Sequence, residues 1–348
     1  MVLAGPRWLA RALIPVVLAV GAPACWLMGP TEPTDARPTV GIAEWLADPR
    51  RPPHPVLATP AEVAAYFART PPGDGAALAR GYPQIVGNLD GAPVPLRYLA
   101  NAVQAPQWAG RQVLAFDGRG DGHVAEVLGD LPAAERVVVL VPGVDSSLVN
   151  FDTGHGGRQR RALAWQARQL MDQIRGLDAG ARVAVVAWLG YDPPEGVRRD
   201  ALREDRAAAG ALALDRLVDG LVLARPRLAV TIVGHSYGST VAGLAARDLS
   251  PQVTDIVSIG SPGMGVPDRS ALRTQARVWA GSAPNDWTRR VLGVRVFGVG
   301  HGRLPVDRAF GALPLPCEDV DGHDGYFLAG TSALLAMAQI GLGRAAHG

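Results

Sequence analysis

Lysine is absent from this chain of 348 residues, so all 34 basic side chains are arginine. The absence excludes two kinds of chemistry, because a P-loop needs a lysine on the nucleotide phosphates and Schiff-base catalysis needs a primary amine. Charged residues make up only 19% of the chain, and the formal net charge is +2. A composition so close to neutral gives no large basic face, and it predicts no nucleic-acid partner.

Cysteine is nearly absent too, with only Cys25 and Cys317. Cys25 lies in an apolar N-terminal segment, so the folded part is expected to hold one thiol and no disulfide framework. A single cysteine can be a nucleophile, but Glu318 and Asp319 follow Cys317 directly, and neighbouring negative charge raises a thiol pKa. The glycines around 260–265 and 298–302 lack G-x-G-x-x-G spacing, and no two histidines have ligand spacing on one helix. We therefore expect no cofactor and no metal.

The first 29 residues are expected to be a signal peptide or a membrane anchor. Two arginines precede a charge-free stretch over 12–29, and Ala22-Pro23-Ala24 offers small residues for cleavage. The stretch is short for a membrane-spanning helix, which needs roughly 20 apolar residues, and prolines interrupt it. The pattern predicts export, with an uncleaved anchor or lipidation of Cys25 as alternatives.

The next two segments differ in composition. Residues 30–58 are rich in proline and arginine and are predicted to be a linker. Residues 59–105 are predicted to be a helical extension, because Thr59-Pro60-Ala61-Glu62 has capping-box spacing with proline at the first helical position. The predicted helices of this extension cover about 60–69, 76–82 and 94–103. The extension could cap a pocket or only pack on a sheet.

From residue 106 to residue 343, apolar strands alternate with helices. A hairpin is predicted around 118–122. Further strands are predicted over 136–143, 182–190, 227–234, 254–261, 276–282 and 294–300, and helices over 159–175, 201–224 and 331–342. Continuous apolar strands separated by helices are typical of a parallel sheet that is covered on both faces. The predicted fold class is α/β, with a mixed, mostly parallel central sheet.

The stretch Gly234-His235-Ser236-Tyr237-Gly238 has the spacing of a nucleophile elbow. In such an elbow a serine occupies a strained turn between a strand and a helix, and glycines two residues away on each side remove side chains that would collide. The strand is expected over 228–233 and the helix over 239–248. The alternative is a tight turn in which Ser236 only caps the helix.

A nucleophilic serine in this context needs an acid and then a histidine, in that order along the chain. Histidine serves as the base because its ordinary pKa lies near neutrality, and the acid fixes its tautomer. His323 is the predicted base, in a loop before the last helix, and Asp286 is the predicted acid, after the next-to-last strand. The alternatives are His301 and His347 for the base, and Asp307, Asp319, Asp321 and Asp324 for the acid.

An oxyanion hole needs two backbone N–H groups that converge on the developing negative charge. Tyr237 follows Ser236 and is predicted to supply one of them. Val144 is predicted to supply the other, because Gly143, at the end of the strand predicted over 136–143, lets the backbone approach the substrate. A plain strand-ending turn is the alternative for this loop.

Three aromatic residues near the ends of predicted strands are candidates for the substrate pocket, together with Gly143. They are Trp188, Tyr191 and Trp287. The ends of neighbouring strands meet at the edge of the sheet where α/β proteins bind ligands. Packing in the core or in loops explains these three residues equally well.

The chain resembles a family of secreted, largely uncharacterised α/β hydrolases from GC-rich bacteria. The resemblance runs from about residue 80 to residue 330 and includes "VLVPGVDSSLVNFDTG", "VAWLGYDPP", "GHSYGSTVAGLAA", "GSPGMGV" and "GHDGYF". It implies the α/β-hydrolase fold with Ser236, Asp286 and His323 as the triad, and it implies no substrate. Members of the family usually carry a less acidic stretch where this chain has Asp324, and a carboxylate there could compete for the imidazole.

We therefore expect an exported serine hydrolase that cleaves an ester or lipid-like small molecule through an acyl-enzyme. The N-terminus predicts secretion or association with the cell envelope or a membrane. One alternative is an acyltransferase of the cell envelope that uses the same triad. The other is a binding protein without enzymatic activity on a hydrolase scaffold.

Overall fold

The structure is a computed structural model, and it describes residues 40–196, 200–223, 225–291, 293 and 300–344. The segment over 1–29 and nearly all of the strand predicted over 294–300 lie outside the described residues. Within the described part of the chain, no helix is both long enough and apolar enough to cross a bilayer.

A mixed sheet forms the centre of the described fold. Its strands are β1 (Gln112–Asp117), β2 (His123–Leu128), β3 (Arg136–Val141), β4 (Val183–Leu189), β5 (Ala229–His235), β6 (Val253–Ile259), β7 (Arg277–Gly281) and β8 (Leu313–Pro314). They are arranged in the order β1-β2-β4-β3-β5-β6-β7-β8. The β1–β2 hairpin is antiparallel and joins β4 in the antiparallel sense, whereas β4 and all strands beyond it are parallel. The predicted mostly parallel sheet is confirmed.

Helices cover both faces of this sheet. The described α-helices are α1 (Ile42–Leu46), α2 (Pro60–Arg69), α3 (Pro72–Gly81), α4 (Pro83–Val86), α5 (Val94–Gln104), α6 (Leu163–Leu177), α7 (Asp205–Val222), α8 (Gly238–Ala245) and α9 (Ser332–Gly341). Val137 and Val139 of β3 join the apolar cluster that contains α7 and α8, whereas Val138 and Leu140 join the cluster that contains α6 and α9. Strands that are buried on both faces need apolar residues at every position, which explains their continuous apolar sequence.

Some boundaries differ from the prediction for local reasons. Helix α6 begins at Leu163 because a short 3-10 turn, Gln159–Arg161, precedes it. Helix α3 begins at Pro72, since proline lacks an N–H and has a fixed φ that suits the first helical turn. Strand β8 was not predicted, because two residues are too short to produce a periodic pattern.

The helices before the sheet form a layer with its own apolar cluster. The capping box predicted at its start is confirmed: Thr59 Oγ1 accepts a hydrogen bond from the Glu62 N–H, and the Glu62 carboxylate accepts one from the Thr59 N–H. Helix α5 packs on β1, and α2 contacts α7. The layer therefore covers the antiparallel edge of the sheet.

The segment predicted as a linker over 30–58 is folded over its described part, residues 40–58. Trp45 in α1 is fully buried, and its Nε1–H donates to Pro53 O at 2.7 Å. Its ring lies edge-on to the ring of Tyr82, with centroids 5.3 Å apart. The prediction of a tether is wrong for this part, because one tryptophan anchors a stretch whose average composition is that of a linker.

Candidate active site

Ser236 occupies a strained turn between β5 and α8. Its φ is 55°, in the left-handed region that residues other than glycine seldom adopt. Its N–H donates to Ile259 O at 2.9 Å. The side chain is buried, yet it lines a cavity of about 400 Å³. A turn of this kind presents the hydroxyl at the edge of the sheet, where a ligand can reach it.

Glycines make this turn possible. A Cβ at Gly234 would lie 2.6 Å from Gly238 O, and a Cβ at Gly238 would lie 2.2 Å from Val141 O. A Cβ at Gly143, in the loop after β3, would lie 2.7 Å from Ser236 Cβ. All three separations are shorter than van der Waals contact, so any larger residue would push the strand, the helix and the loop apart.

The two predicted oxyanion donors are backbone groups that the fold leaves available. Among the described residues, neither the Val144 N–H nor the Tyr237 N–H donates to a backbone carbonyl. Val144 lines the cavity. The Tyr237 side chain is buried, and its hydroxyl donates to Arg203 O at 2.6 Å. Only the main chain of Tyr237 is therefore available beside Ser236.

His323 and Asp286 come together from loops that are 37 residues apart. Asp286 follows β7 and begins a 3-10 turn, and His323 lies between β8 and α9. His323 Nδ1 is 3.0 Å from each carboxylate oxygen of Asp286. His323 also lines the cavity of Ser236, although no hydrogen bond joins Ser236 Oγ to the imidazole within the described structure.

Asp286 is buried, and hydrogen-bond donors contact both oxygens of its carboxylate. Tyr326 Oη donates to Oδ2 at 2.5 Å, and the N–H and hydroxyl of Thr288 donate to Oδ1 at 2.8 and 2.7 Å. Burial alone would raise the pKa of this carboxyl, but the bonds from His323, Tyr326 and Thr288 outweigh burial and hold the pKa below its ordinary range. Asp286 is consequently ionised at neutral pH and holds the ring of His323 in one orientation.

Two further rings hold the imidazole of His323. The Trp287 ring lies 5.0 Å and the His235 ring 4.7 Å from it, between centroids. His235 Nε2 is 2.9 Å from His323 O. Burial and the nearby His323 lower the pKa of His235 to about 4, so His235 is neutral near pH 7 and donates Nε2–H to that carbonyl.

The other candidate acids have structural partners. Asp324 Oδ2 accepts a hydrogen bond from Arg161 Nε at 2.8 Å, so this carboxylate is paired away from His323 Nδ1. Asp307 caps a 3-10 turn, Asp319 binds the first residue of α9, and Asp321 accepts from the side chain of Asn285.

The alternative nucleophile and bases lie elsewhere. His301 is buried with Nε2 at 2.6 Å from Ala201 O. Burial, together with Glu318 and Asp319, raises the pKa of Cys317 to about 12, so its thiol is protonated near neutral pH. His347 lies outside the described residues.

Some of the predicted pocket residues line the cavity, and others do not. Gly143 and Trp287 line it, and so does Val144, the predicted oxyanion donor. Trp188 and Tyr191 do not, because both are buried in the apolar cluster between the sheet and helices α7 and α8. Among the described residues, none that lines this cavity comes from 59–105, so the helical extension does not cap it.

Sequence reasoning assigned no role to Tyr326 or Thr288, and it missed Gly260. Gly260 has a φ of 53°, and a Cβ there would lie 2.9 Å from Asp286 Oδ2 and 3.1 Å from His323 Nδ1. The residue therefore leaves the space in which acid and histidine meet. Its signal in the sequence is a glycine directly after the strand that follows the elbow, as Gly143 follows β3.

A comparison with known proteins matches part of this chain to a family model. Residues 117–296 match a family model described as "Alpha/beta hydrolase". An uncharacterized protein of Mycobacterium tuberculosis is 30% identical over 258 residues, covering 66% of this chain and 38% of that protein. An uncharacterized protein of Mycobacterium bovis is 36% identical over 151 residues, covering 42% of this chain and 54% of that protein. The chain thus spans only about two fifths to one half of these relatives.

A solved structure described as an α/β serine hydrolase without lid, from Xanthomonas campestris, is also similar. It shares 15% sequence identity with this chain, at a TM-score of 0.38. The match covers 67% of this chain and 94% of that protein.

Proposed function

Since the chain belongs to the alpha/beta hydrolase family, we propose that it is an exported serine hydrolase that cleaves carboxylic esters through an acyl-enzyme on Ser236. One observation carries the proposal. A buried, ionised Asp286 holds His323 Nδ1 at 3.0 Å beside a cavity that the strained Ser236 also lines. This is the arrangement of nucleophile, base and orienting acid that acyl transfer requires.

The first half of the reaction forms the acyl-enzyme. Ser236 Oγ attacks the ester carbonyl carbon while His323 Nε2 takes the hydroxyl proton, and Asp286 stabilises the imidazolium. The N–H groups of Val144 and Tyr237 receive the negative charge on the former carbonyl oxygen. The carbon–oxygen bond to the alcohol then breaks, and the alcohol oxygen takes the proton from His323.

Water completes the cycle. His323 removes a proton from a water molecule, the hydroxide attacks the acyl carbon, and Ser236 leaves with that proton restored. The products are a carboxylic acid and an alcohol. Export is part of the proposal, and the charge-free segment over 12–29 after two arginines supports it.

A fluorophosphonate probe tests the proposal, because it phosphonylates an activated serine and leaves ordinary serines unmodified. We expect one adduct on folded protein, at Ser236 by peptide mass spectrometry, and none after denaturation. Ser236→Ala should abolish both the adduct and the hydrolysis of phenyl acetate, with a loss of roughly 10⁴- to 10⁶-fold in kcat. Ser270→Ala is the matched control, since Ser270 lies in a 3-10 turn outside the cavity. An adduct that persists in Ser236→Ala would overturn the assignment.

A further inference from the structure

Several polar side chains line the cavity at Ser236. Among its described lining residues, Pro142, Val144 and Trp287 carry apolar side chains. We use the name polar wall for four side chains that line the cavity, two from the segment before α6, one from α6 itself and one directly after His323: His155, Arg161, Gln166 and Asp324. These side chains can form hydrogen bonds with a polar ligand.

The polar wall stands next to the group that protonates the leaving alcohol. Asp324 directly follows His323, and Arg161 is joined to Asp324 through Nε and Oδ2 at 2.8 Å. Trp287 packs against the His323 ring from another loop and keeps 39% of its surface exposed. Because His323 must reach the oxygen of the departing alcohol, its neighbours contact the alcohol part of the ester.

The wall offers both donors and acceptors. The ion pair uses Arg161 Nε and one oxygen of Asp324, and among the described residues no other hydrogen bond engages the Arg161 Nη groups or the second Asp324 oxygen. Gln166 is 4% exposed, and its Nε2 donates to Arg160 O at 2.9 Å, which leaves Oε1 as an acceptor. Paired donors and acceptors of this kind match neighbouring hydroxyl groups, each of which donates and accepts.

The charges at the cavity argue against an anionic alcohol. Asp145 and Asp324 contribute two negative charges, and Arg161 contributes the one positive charge of the described lining. The Arg161 charge is already neutralised by Asp324. A carboxylate or phosphate would therefore meet net negative charge, whereas an uncharged polyol would meet only hydrogen-bond partners.

We propose that this cavity binds the alcohol part of the ester as an uncharged, hydroxyl-rich group such as a sugar. The hydroxyls bond to Arg161, Asp324 and Gln166, and the apolar face of the sugar ring packs on the exposed indole of Trp287. The inference rests on the proposed function. In the reaction the acyl group stays on Ser236, and the sugar oxygen leaves with the proton from His323.

Two acetate esters of matched size test the proposal: methyl 6-O-acetyl-glucoside and cyclohexylmethyl acetate, which has a six-membered ring without hydroxyls. We expect kcat/KM to be at least tenfold higher for the sugar ester, because a site built for hydroxyls discriminates against an analogue that lacks them. Arg161→Gln and Asp324→Asn should each lower the ratio of the two kcat/KM values about tenfold. Arg158→Gln, an exposed arginine of the same loop outside the cavity, is the matched control and should keep the ratio.

The fluorophosphonate adduct separates this proposal from the proposed function. If Ser236 is labelled and the two esters have kcat/KM values within about threefold, the alcohol site is wrong and the hydrolase stands. A high ratio that Arg161→Gln and Asp324→Asn leave unchanged also overturns the assignment of the wall. If Ser236 takes no label and neither ester is cleaved, both proposals fall.

Discussion

His323 and His301 are two histidines that flank the same elbow, and their surroundings differ. His323 contacts a carboxylate, with Nδ1 at 3.0 Å from both oxygens of Asp286, and its side chain lines the cavity of Ser236. His301 packs edge-on against the ring of Tyr237, with centroids 5.5 Å apart, and its Nε2 is 2.6 Å from Ala201 O. A carbonyl oxygen fixes a tautomer as a carboxylate does, but it carries no full charge to stabilise an imidazolium.

Proximity to the proposed nucleophile does not identify its base. Both histidines follow Ser236 in the chain and both lie near the elbow, so residue type and chain order do not distinguish them. The two histidines differ in the group that each ring contacts and in whether the ring reaches the cavity. Buried His301 joins the loop over 300–302 to Ala201, and Gly265 N–H donates to its carbonyl at 2.9 Å.

The largest expected effect, and the most direct contrast, comes from substituting each of these two histidines in turn. His323→Gln should lower kcat for phenyl acetate by roughly 10⁴- to 10⁶-fold, because no other group takes the Ser236 proton. His301→Gln should lower kcat less than about tenfold and should act mainly on stability. Steady-state kinetics and thermal unfolding of both variants check this contrast. A larger kcat loss in His301→Gln than in His323→Gln would reverse the assignment.

The next largest effect is expected when the negative charge of Asp286 beside His323 is removed. In Asp286→Asn the amide can donate to His323 Nδ1, which favours the tautomer with the proton on Nε2, and that tautomer cannot accept the Ser236 proton. We expect kcat to fall about 10⁴-fold, with the fluorophosphonate reaction slowed in parallel. Asp321→Asn is the matched control, since Asp321 pairs with Asn285 on the surface. Equal losses in the two variants would show that Asp286 has no special role.

Much of the fold and of the elbow could be predicted because the causes are local. A Cβ at Gly234 would collide with Gly238 O, four residues further along the chain, and a continuous apolar strand can be recognised from its own residues. The acid and the histidine were predicted from their order after Ser236, and the contact between them then depended on the convergence of loops at one edge of a parallel sheet. The α/β fold class followed from the alternation of apolar strands and helices, whereas the family was indicated by the resemblance of several motifs.

What could not be predicted depends on distant contacts. Trp188 and Tyr191 lie near a strand end, but their side chains face α7, where Gly210 leaves space: a Cβ there would lie 2.9 Å from Tyr191 Cγ. The prediction that Asp324 could compete for the imidazole did not include Arg161, which lies 163 residues away in the chain and binds the Asp324 carboxylate. The linker prediction failed because one residue, Trp45, outweighs an average composition.

A smaller effect is expected when Asp286 loses one of the hydrogen bonds that its carboxylate accepts. Tyr326→Phe removes the hydroxyl that donates to Asp286 Oδ2, which should raise the pKa of Asp286 and loosen its hold on His323. Loss of a hydrogen bond to a charged group costs about 1.5–3 kcal/mol, and we expect kcat to fall about tenfold. Tyr98→Phe is the matched control, because Tyr98 Oη is buried with no hydrogen-bond partner among the described residues. An unchanged kcat in Tyr326→Phe would show that Thr288 and His323 hold Asp286 without the tyrosine hydroxyl.

The smallest effect concerns the third imidazole, His235, which donates Nε2–H to His323 O. Burial and the neighbouring His323 lower the pKa of His235 from 6.5 to about 4 in the folded chain. The unfolded chain therefore binds this proton at a higher pH than the folded chain does. The stabilisation is complete above pH 6.5 and declines as the pH falls towards 4, by at most about 3 kcal/mol.

His235→Gln keeps an N–H donor but does not titrate. Denaturant unfolding from pH 7 to pH 4 should therefore show a smaller loss of unfolding free energy in the variant than in the wild type. Equal losses would mean that His235 is protonated in the folded state above pH 4, and that its ring does not hold the His323 loop as a neutral donor.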